Sequence, residues 1–452
     1  MAERLIVIGG DAAGMSAASQ ARRRRPDLEI VALERGRRTS YSACGIPYHV
    51  GGEVETLDEL VARTPQEFRA SQRIDVRIEH EAVGVDLDAR KVTVRDHVHG
   101  REILLGFDQL MIGTGARPFR PDLPGIDLDH VKGAQTLADA EELLAHARES
   151  RCTDVVVVGG GYIGLELAEA FTRWGAEVAV VEAAPQVMGS LEPEMAGRVV
   201  DAMRRHGVDV HLETPVEAIE PEHVVAGGRS FRADLVVLGL GVAPNSGLAA
   251  EAGIELGERD AIAVDRRQRT SAEGVWAAGD CATAWNLVSR RQSYVPLGTV
   301  ANRQGRVAGI NIAGGYATFP GVLATAVSRF CDLEVGRTGL SRAEAAAAGI
   351  EVVDATIEST TTASYLPDAE PITVELLAEL GSRRVVGAQI VGGRGSAKRV
   401  DVVATAITAG MTVDELVDVD LSYAPPFSPL WDPVAVAARR ASSLLDESMR
   451  KR

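Results

Sequence analysis

Leu5-Ile6-Val7-Ile8-Gly9-Gly10-Asp11-Ala12-Ala13-Gly14 is the stretch on which the reading of this chain turns. Four apolar residues run into a glycine turn. An Ala-rich helical pattern follows, and a second apolar run at 30–33 ends at Glu34. Strand, turn, helix and strand in that order form a βαβ unit that takes a dinucleotide. Gly9 permits the tight turn and Gly14 lets the helix lie close to the strand. The helix N-terminus faces a pyrophosphate, and Glu34 accepts hydrogen bonds from a ribose diol. Asp11 stands where the fingerprint has its middle glycine.

The same theme returns at 154–182. The valine-rich run Asp154–Val158 leads into Gly159-Gly160-Gly161-Tyr162-Ile163-Gly164, a complete GxGxxG. A helix is expected over 165–174, then the strand Glu177–Val181 with Glu182 at its end. Glu182 suits the free 2′-hydroxyl of NADH. A 2′-phosphate would meet like charge, and Ala183-Ala184 offer no arginine to receive it. NADH is therefore expected, with NADPH the open alternative.

Between and after these units the pattern is readable in parts. Residues 76–112 alternate apolar and polar through Val83, Val85, Leu87, Val92, Val94, Ile103 and Leu105, which predicts an antiparallel meander closing on the strand Gln109–Ile112. Residues 235–240 predict another strand. A short strand before Gly279-Asp280 is expected to end at a helix start, with Asp280 placed for a ribityl chain or acting as a plain N-cap. Beyond about 321, strands are expected at 351–357, 373–379 and 385–390 around a helix Arg342–Ala348, with helix again at 397–417. The proline- and aromatic-rich 423–433 predicts no regular element: a packed linker, or a segment presented to another subunit.

Composition limits the function. The chain has 452 residues, 46% hydrophobic and 25% charged, and a formal charge of −16, which argues against nucleic acid as the partner. No apolar run is long enough to span a bilayer, and no signal-peptide pattern precedes residue 5, so a cytoplasmic protein without membrane contact is expected. The four cysteines (Cys44, Cys152, Cys281, Cys331) form no CxxC pair and no cluster with histidine, so no metal site is expected. Cys281 reads as a small packed residue.

Cys44 lies in Ser40-Tyr41-Ser42-Ala43-Cys44-Gly45-Ile46-Pro47-Tyr48. Pro47 marks a first helical turn, so the thiol is expected near a helix N-terminus, whose partial positive charge favours thiolate. A buried inert cysteine is the competing reading. Arg22-Arg23-Arg24-Arg25 end the first helix. They serve either the helix C-terminus and solvent or a phosphate patch, which Arg63, Arg69 and Arg73 could extend. Thr64-Pro65 predicts a fresh helix start.

These motifs, with Thr114-Gly115-Ala116-Arg117-Pro118, Gly241-Val242-Ala243-Pro244-Asn245, Gly279-Asp280-Cys281, Leu297-Gly298 through Arg306 and Tyr423-Ala424-Pro425-Pro426, carry a resemblance over nearly the whole chain. It resembles the pyridine nucleotide–disulfide oxidoreductases, most of all their single-cysteine branch of coenzyme A-disulfide reductase, NADH oxidase, NADH peroxidase and persulfide reductase. The resemblance implies an α/β fold with two Rossmann-like units and a C-terminal α+β dimerisation unit. The FAD-binding part is 1–118 with 246–320, the NAD(P)H-binding part 119–245, and the dimerisation part 321–452.

It further implies FAD contacts at Gly9, Gly10, Asp11, Ala12, Ala13, Gly14, Glu34, Arg35, Ser42, Thr114, Gly115, Arg117, Gly279, Asp280, Leu297, Gly298 and Thr299. NADH contacts are expected at Gly159, Gly161, Tyr162, Ile163, Gly164, Glu182, Gly241 and Val242. Coenzyme A or its disulfide is the expected substrate, held by Gln20, Arg23, Ser40, Arg63, Thr64 and Asn302. Cys44 is the expected nucleophile, assisted by Tyr423 and Tyr365 of the other subunit of a homodimer. Ser40 takes the place of the first cysteine of dithiol relatives. Ala12 takes the place of the histidine found in peroxidases and many oxidases. Oxygen reduction, persulfide or polysulfide reduction and a flavin redox sensor are the alternatives.

Overall fold

The computed structural model describes residues 3–451. β1 (Arg4–Ile8), α1 (Ala12–Arg24) and β2 (Glu29–Leu33) form the expected unit, with β1 and β2 parallel and Arg4 opposite Glu29. Successive side chains of β1 enter two different cores, as the twofold period of a strand requires. Leu5 and Val7 pack with Ala17, Ala21 and Ala308, while Ile6 and Ile8 pack with Val92, Val94 and Phe107. A strand buried on both faces has to be apolar where it is buried, and β1 is from Leu5 to Ile8.

α2 (Ile46–Val50) and α3 (Pro65–Gln72) follow, then β3 (Asp75–Arg77), which joins β2. β4 (His80–Asp86), β5 (Lys91–Asp96) and β6 (Arg101–Gly106) are the antiparallel meander read from the alternation. β7 (Gln109–Ile112) returns beside β1, and β8 (Ala116–Pro118) leads away.

The second unit holds β9 (Val131–Lys132), α4 (Leu137–Glu149), β10 (Asp154–Val158), α5 (Tyr162–Arg173), β11 (Glu177–Val181), α6 (Pro193–Arg205) and β12 (Asp209–His211). It continues through β13 (Val216–Glu220), β14 (His223–Ala226), β15 (Arg229–Arg232) and β16 (Leu235–Leu238). Its parallel sheet runs β12-β11-β10-β16-β9. β17 (Val242–Pro244) then pairs antiparallel with β8, so the outgoing and returning chains form one ribbon. After α7 (Gly247–Glu251), β18 (Val275–Ala277) pairs with β7 and completes the first sheet, β18-β7-β1-β2-β3. β19 (Ala284–Trp285) and β20 (Gln292–Ser293) form a small hairpin, and α8 (Gly298–Ile312) packs along α1.

The last unit is a five-stranded antiparallel sheet, β21 (Ala326–Phe330), β22 (Leu333–Gly339), β23 (Val352–Thr360), β24 (Pro371–Glu379) and β25 (Val385–Gly392), with α9 (Arg342–Ala348) between β22 and β23. α10 (Val400–Ala409), α11 (Val413–Val417) and α12 (Pro433–Lys451) share its core. Phe330, Val335 and Val391 instead enter a core with Val50 of α2 and Leu165 of α5.

Four expectations change. The helix after the second glycine turn begins at Tyr162, not 165, because Gly161 is already its N-cap. The helical 397–417 is broken at Gly410, whose φ of +71 caps α10. β21, β22 and α12 were not foreseen from the sequence pattern. Asp280 lies in a turn with no helix start beside it, which removes the plain N-cap reading. Among the described residues no helix is long and apolar enough to cross a membrane.

Candidate active site

The two glycine turns have the same construction. Gly9 has φ +107, and a Cβ there would strike the Gly113 carbonyl; a Cβ on Gly14 would strike the Gly9 carbonyl. Glu34 braces the first turn, its Oε2 accepting from Gly10 N at 2.9 Å and its Oε1 from Gly36 N at 2.7 Å. Glu182 does the same in the second, accepting from Gly160 N at 2.7 Å and Ala184 N at 2.8 Å. Both acids sit just past a strand end, next to the turn they hold.

Some helices are capped by side chains and others are not; α2, α6, α7 and α10 are among the uncapped ones. α3, α4, α9 and α11 open with Thr64, Thr136, Ser341 and Thr412, each accepting from its own third helical N–H. α1, α5 and α8, which follow Asp11, Gly161 and Leu297, carry no side-chain cap. Their first N–H groups are therefore open to an anion. Gly298 and Thr299 are exposed at the start of α8. Asp280 is part-buried, its Oδ1 buried and without a hydrogen-bond partner. Gln304 of α8 fixes this turn, accepting from Gly279 N at 2.8 Å and donating to Thr283 O at 2.9 Å. Bare helix ends, two acids braced against the glycine turns and a buried, unpartnered carboxylate oxygen fit two dinucleotides, one of them with a ribityl hydroxyl chain.

Thr114, Gly115 and Arg117 share one ribbon with Gly241 and Val242. Thr114 Oγ1 donates to Asn245 O at 2.6 Å, and Arg117 Nη1 donates to Pro244 O at 2.7 Å. Arg35 and Ser42 are exposed. Tyr162 OH lies 3.4 Å from Ser190 Oγ.

Burial pushes Asp11 and Asp280 up to about 6, and for Asp11 the neighbouring Glu34 and Asp280 add to the effect. A carboxyl group held this way binds its proton more tightly folded than unfolded. Its stabilising contribution is therefore full below the unfolded value and lost as pH rises through the folded one. The flavin-free chain is expected to melt at a higher temperature at pH 5.5 than at pH 7.5, and Asp280→Asn should narrow that gap. An unchanged gap in the variant would place the dependence elsewhere. Asp96 and Asp414, lowered to about 2, lose their contribution only in a more acidic range.

Cys44 is exposed in a short 3₁₀ turn, Ala43–Gly45, that runs directly into α2. Its loop is sewn to the first glycine turn. Ser40 N donates to Gly10 O at 2.9 Å, Tyr41 N donates to Asp11 Oδ1 at 3.2 Å, and Thr39 Oγ1 also donates to Gly10 O. Ser40 holds a left-handed backbone, φ +51, between this bond and the one from Ala62 N to its own carbonyl. The expected thiolate preference does not appear. Surrounding protein, then Glu166, Asp280 and Asp11, push the Cys44 thiol up. A five-residue helix is too short to offset them.

The sequence reading passed over the groups around α2. Tyr48 lies under the Arg329 guanidinium, 5.2 Å from carbon to ring centre. Arg329 of β21 pairs with Glu53 and Glu169, as does Arg173 of α5. Glu166, two residues past Gly164, accepts from Ser328 Oγ at 3.0 Å. Its place directly after GxGxxG was the one signal that could have marked it.

The expected substrate residues divide. Arg22 donates to the carbonyls of Gln72, Arg73 and Pro26, and Arg25 pairs with Glu3 and Asp27. Those two tie α1 to its surroundings. Arg23 is exposed and lines a cleft of about 390 Å³ with Arg22, Pro26, Ser71, Gln72 and Arg73. Gln20 is part-buried on α1, and Asn302 of α8 accepts from Ser16 at 2.7 Å. Arg63 covers Phe68, and Thr64 caps α3 in partnership with Glu67. Tyr365 and Tyr423 hydrogen-bond to each other and are 73% and 47% exposed. Phe427, Leu430 and Trp431 are exposed nearby in sequence, and Arg399 anchors this segment through Thr361 O, Phe427 O and Asp432.

Residues 3–305 match the family model described as pyridine nucleotide-disulphide oxidoreductase, and 325–433 match its dimerisation domain. An NADH oxidase of Methanocaldococcus jannaschii is 37% identical over 97% of this chain and 98% of its own. An NAD(P)H coenzyme A polysulfide/persulfide reductase of Pyrococcus horikoshii is 36% identical over the same shares. The structure of reduced Bacillus anthracis CoADR-RHD superposes with a TM-score of 0.96 at 33% identity, covering 99% of this chain and 81% of that one. The chain belongs to the pyridine nucleotide-disulphide oxidoreductases and is an FAD-dependent NAD(P)H oxidoreductase.

Proposed function

We propose that this protein reduces coenzyme A disulfide, or related coenzyme A mixed disulfides and persulfides, with electrons from NADH through the single cysteine Cys44. The observation that carries this reading is the exposed, unpaired Cys44 thiol on a loop sewn to the first glycine turn. Ser40 stands four residues upstream, so no internal disulfide competes for the electrons.

In this reading 1–118 with 246–320 holds FAD, 119–245 holds NADH, and 321–452 joins two copies. The first turn, Glu34, Arg35, Ser42, Thr114, Gly115, Arg117, Asp280 and the start of α8 hold FAD. The second turn, Glu182, Gly241 and Val242 hold NADH. When bound, FAD supplies the relay of two electrons from NADH to sulfur. The Cys44 thiolate attacks one sulfur of the disulfide, and that S–S bond breaks. One coenzyme A leaves as thiolate and the other remains joined to Cys44. Two electrons cleave this mixed disulfide, restoring the Cys44 thiolate and releasing the second coenzyme A. One NADH, one proton and one disulfide thus give NAD⁺ and two thiols. Tyr423, with Tyr365, protonates the departing thiolate from the other copy of a homodimer; their exposure and mutual contact support that placement.

Arg23, with Gln20, Ser40, Arg63, Thr64 and Asn302, holds the substrate, and its guanidinium suits a phosphate. Arg23→Ala is expected to raise KM for coenzyme A disulfide about tenfold with kcat little changed, the loss of roughly one charge-assisted hydrogen bond. Steady-state kinetics over a range of disulfide concentrations check it.

The NADH oxidase relative favours oxygen as a second acceptor, against which Ala12 offers no histidine. Anaerobic NADH consumption by the purified flavoprotein, with and without coenzyme A disulfide, separates the two. Turnover that requires the disulfide supports the reductase reading. Turnover seen only in air supports the oxidase.

A further inference from the structure

Three polar side chains stand in a row across the C-terminal sheet. Arg337 of β22 lies opposite Gln389 of β25, and Gln389 lies opposite Glu375 of β24. Each is exposed by 5% or less. Two residues along on the same face, Val335 and Val391 enter the core that includes α5. Polar groups buried this deeply persist where they have partners. For Arg337 and Gln389 those partners include the backbone of 186–192, the segment that follows β11 and leads into α6. Arg337 Nη1 donates to Ser190 O at 2.9 Å, while Nη2 donates to Gly339 O at 3.0 Å and Glu344 Oε2 at 2.8 Å. Gln389 Oε1 accepts from Glu192 N at 2.7 Å. The Glu192 carboxylate accepts in turn from Arg342 N at 2.6 Å and pairs with Arg342 Nε at 2.9 Å.

The same segment holds the second glycine turn. Met188 N donates to Gly160 O at 2.7 Å, and Gly160 N donates to Glu182, so Gly160 is pinned through both its polar groups. Val187 leaves no room for a Cβ at that glycine. Met188 is buried in a left-handed backbone, φ +48, which a residue of its kind keeps only when its surroundings impose it. Leu191 N donates to Met188 O at 2.8 Å, and Gln186 Nε2 donates to Leu191 O at 2.9 Å, which makes the segment one compact loop. A displacement at Ser190 is therefore felt at Gly160, two residues before α5 begins.

We propose that Arg337 is a positioning residue for NADH: with Gln389 it fixes the 186–192 segment, and through Met188 the turn on which the NADH pyrophosphate rests. This rests on the reading of 119–245 as the NADH-binding part. A planar guanidinium suits the place, because one group serves two carbonyls and a carboxylate at once.

The test is calorimetric titration of the oxidised, flavin-loaded protein with NAD⁺, which reads affinity without turnover. Arg337→Gln is expected to raise Kd about tenfold, the loss of one hydrogen bond from a charged group. The limiting rate of anaerobic flavin reduction by NADH, and the flavin content, should stay within about twofold of the parent's, since neither contains the lost binding step. Gln389→Leu should raise Kd about threefold, and the double variant should match Arg337→Gln because both act through one segment. Arg337→Lys keeps the charge and one donor, and its Kd should fall between those of the parent and Arg337→Gln. An unchanged Kd in Arg337→Gln overturns the proposal. So does a limiting rate that falls together with flavin content, which marks a packing role alone. Should that variant not fold, Gln389→Leu decides by the same readings. If Gly164→Val leaves the Kd for NAD⁺ unchanged, it is the reading of the NADH site that fails.

Discussion

Replacing Cys44 by serine is expected to abolish NADH-dependent reduction of coenzyme A disulfide, by a factor of about 1,000 or more, while FAD stays bound. The hydroxyl is nearly isosteric but is neither ionised near neutrality nor able to exchange with a disulfide. Nothing else in the chain substitutes. Cys281 is buried, with Sγ 3.6 Å from the Ile112 carbonyl. Cys331 lies in the turn between β21 and β22, and Cys152 precedes β10 at the far end of that strand from its glycine turn. The cofactor sites do not depend on the thiol, since the first turn is braced by Glu34 and the Asp280 turn by Gln304. Flavin absorbance and single-turnover reduction by NADH should therefore match the parent protein. Disulfide turnover surviving in the variant would sink the proposed mechanism.

Gly14→Val is expected to be the most damaging change outside the cysteine. A Cβ at 14 strikes the Gly9 carbonyl and crowds the Val7 side chain. Backbone cannot yield as a flexible side chain can, so α1 must lift from β1. Overpacking of this kind costs about 1–3 kcal/mol or more. The displacement falls on the uncapped helix end that would face the pyrophosphate. Purified protein should carry under about one tenth of the parent's FAD, measured by absorbance after desalting. Gly164→Val repeats the geometry in the second turn, where a Cβ strikes the Gly159 carbonyl. It should spare FAD and weaken NADH binding instead, which separates the roles of the two turns.

The two βαβ units were legible because each carries its evidence within thirty residues. An apolar strand, a glycine turn, a helix and a terminal acid are local features, and β10 and β11 fall within the expected limits. The meander was legible from its twofold period. The C-terminal unit was less so. β23, β24 and β25 lie where strands were expected, but β22 is buried along most of its length, which erases its alternation, and it contains Gly336 and Gly339. α12 was overlooked because its apolar face is made chiefly of alanine, with Ala437, Ala438 and Ala441 fully buried.

What the sequence by itself determined is the residue inventory of the site: one cysteine in the 40–48 stretch, two glycine turns, two acids beside them and an arginine run. What only the tertiary structure decided is how these groups act on one another. Four consecutive arginines look alike in the chain, but carbonyls at the end of α3 take up Arg22, and Glu3 with Asp27 takes up Arg25; Arg23 and Arg24 stay exposed, and Arg23 lines the cleft. The Cys44 thiol looked activated from its helix alone. Its proton affinity is raised instead, first by burial among folded segments and then by Glu166 and Asp280, which lie 122 and 236 positions away in the chain. Hydrogen bonding and packing are local enough to leave a pattern in sequence. Charge acts through space, and its sum at a site exists only once distant segments have folded against one another.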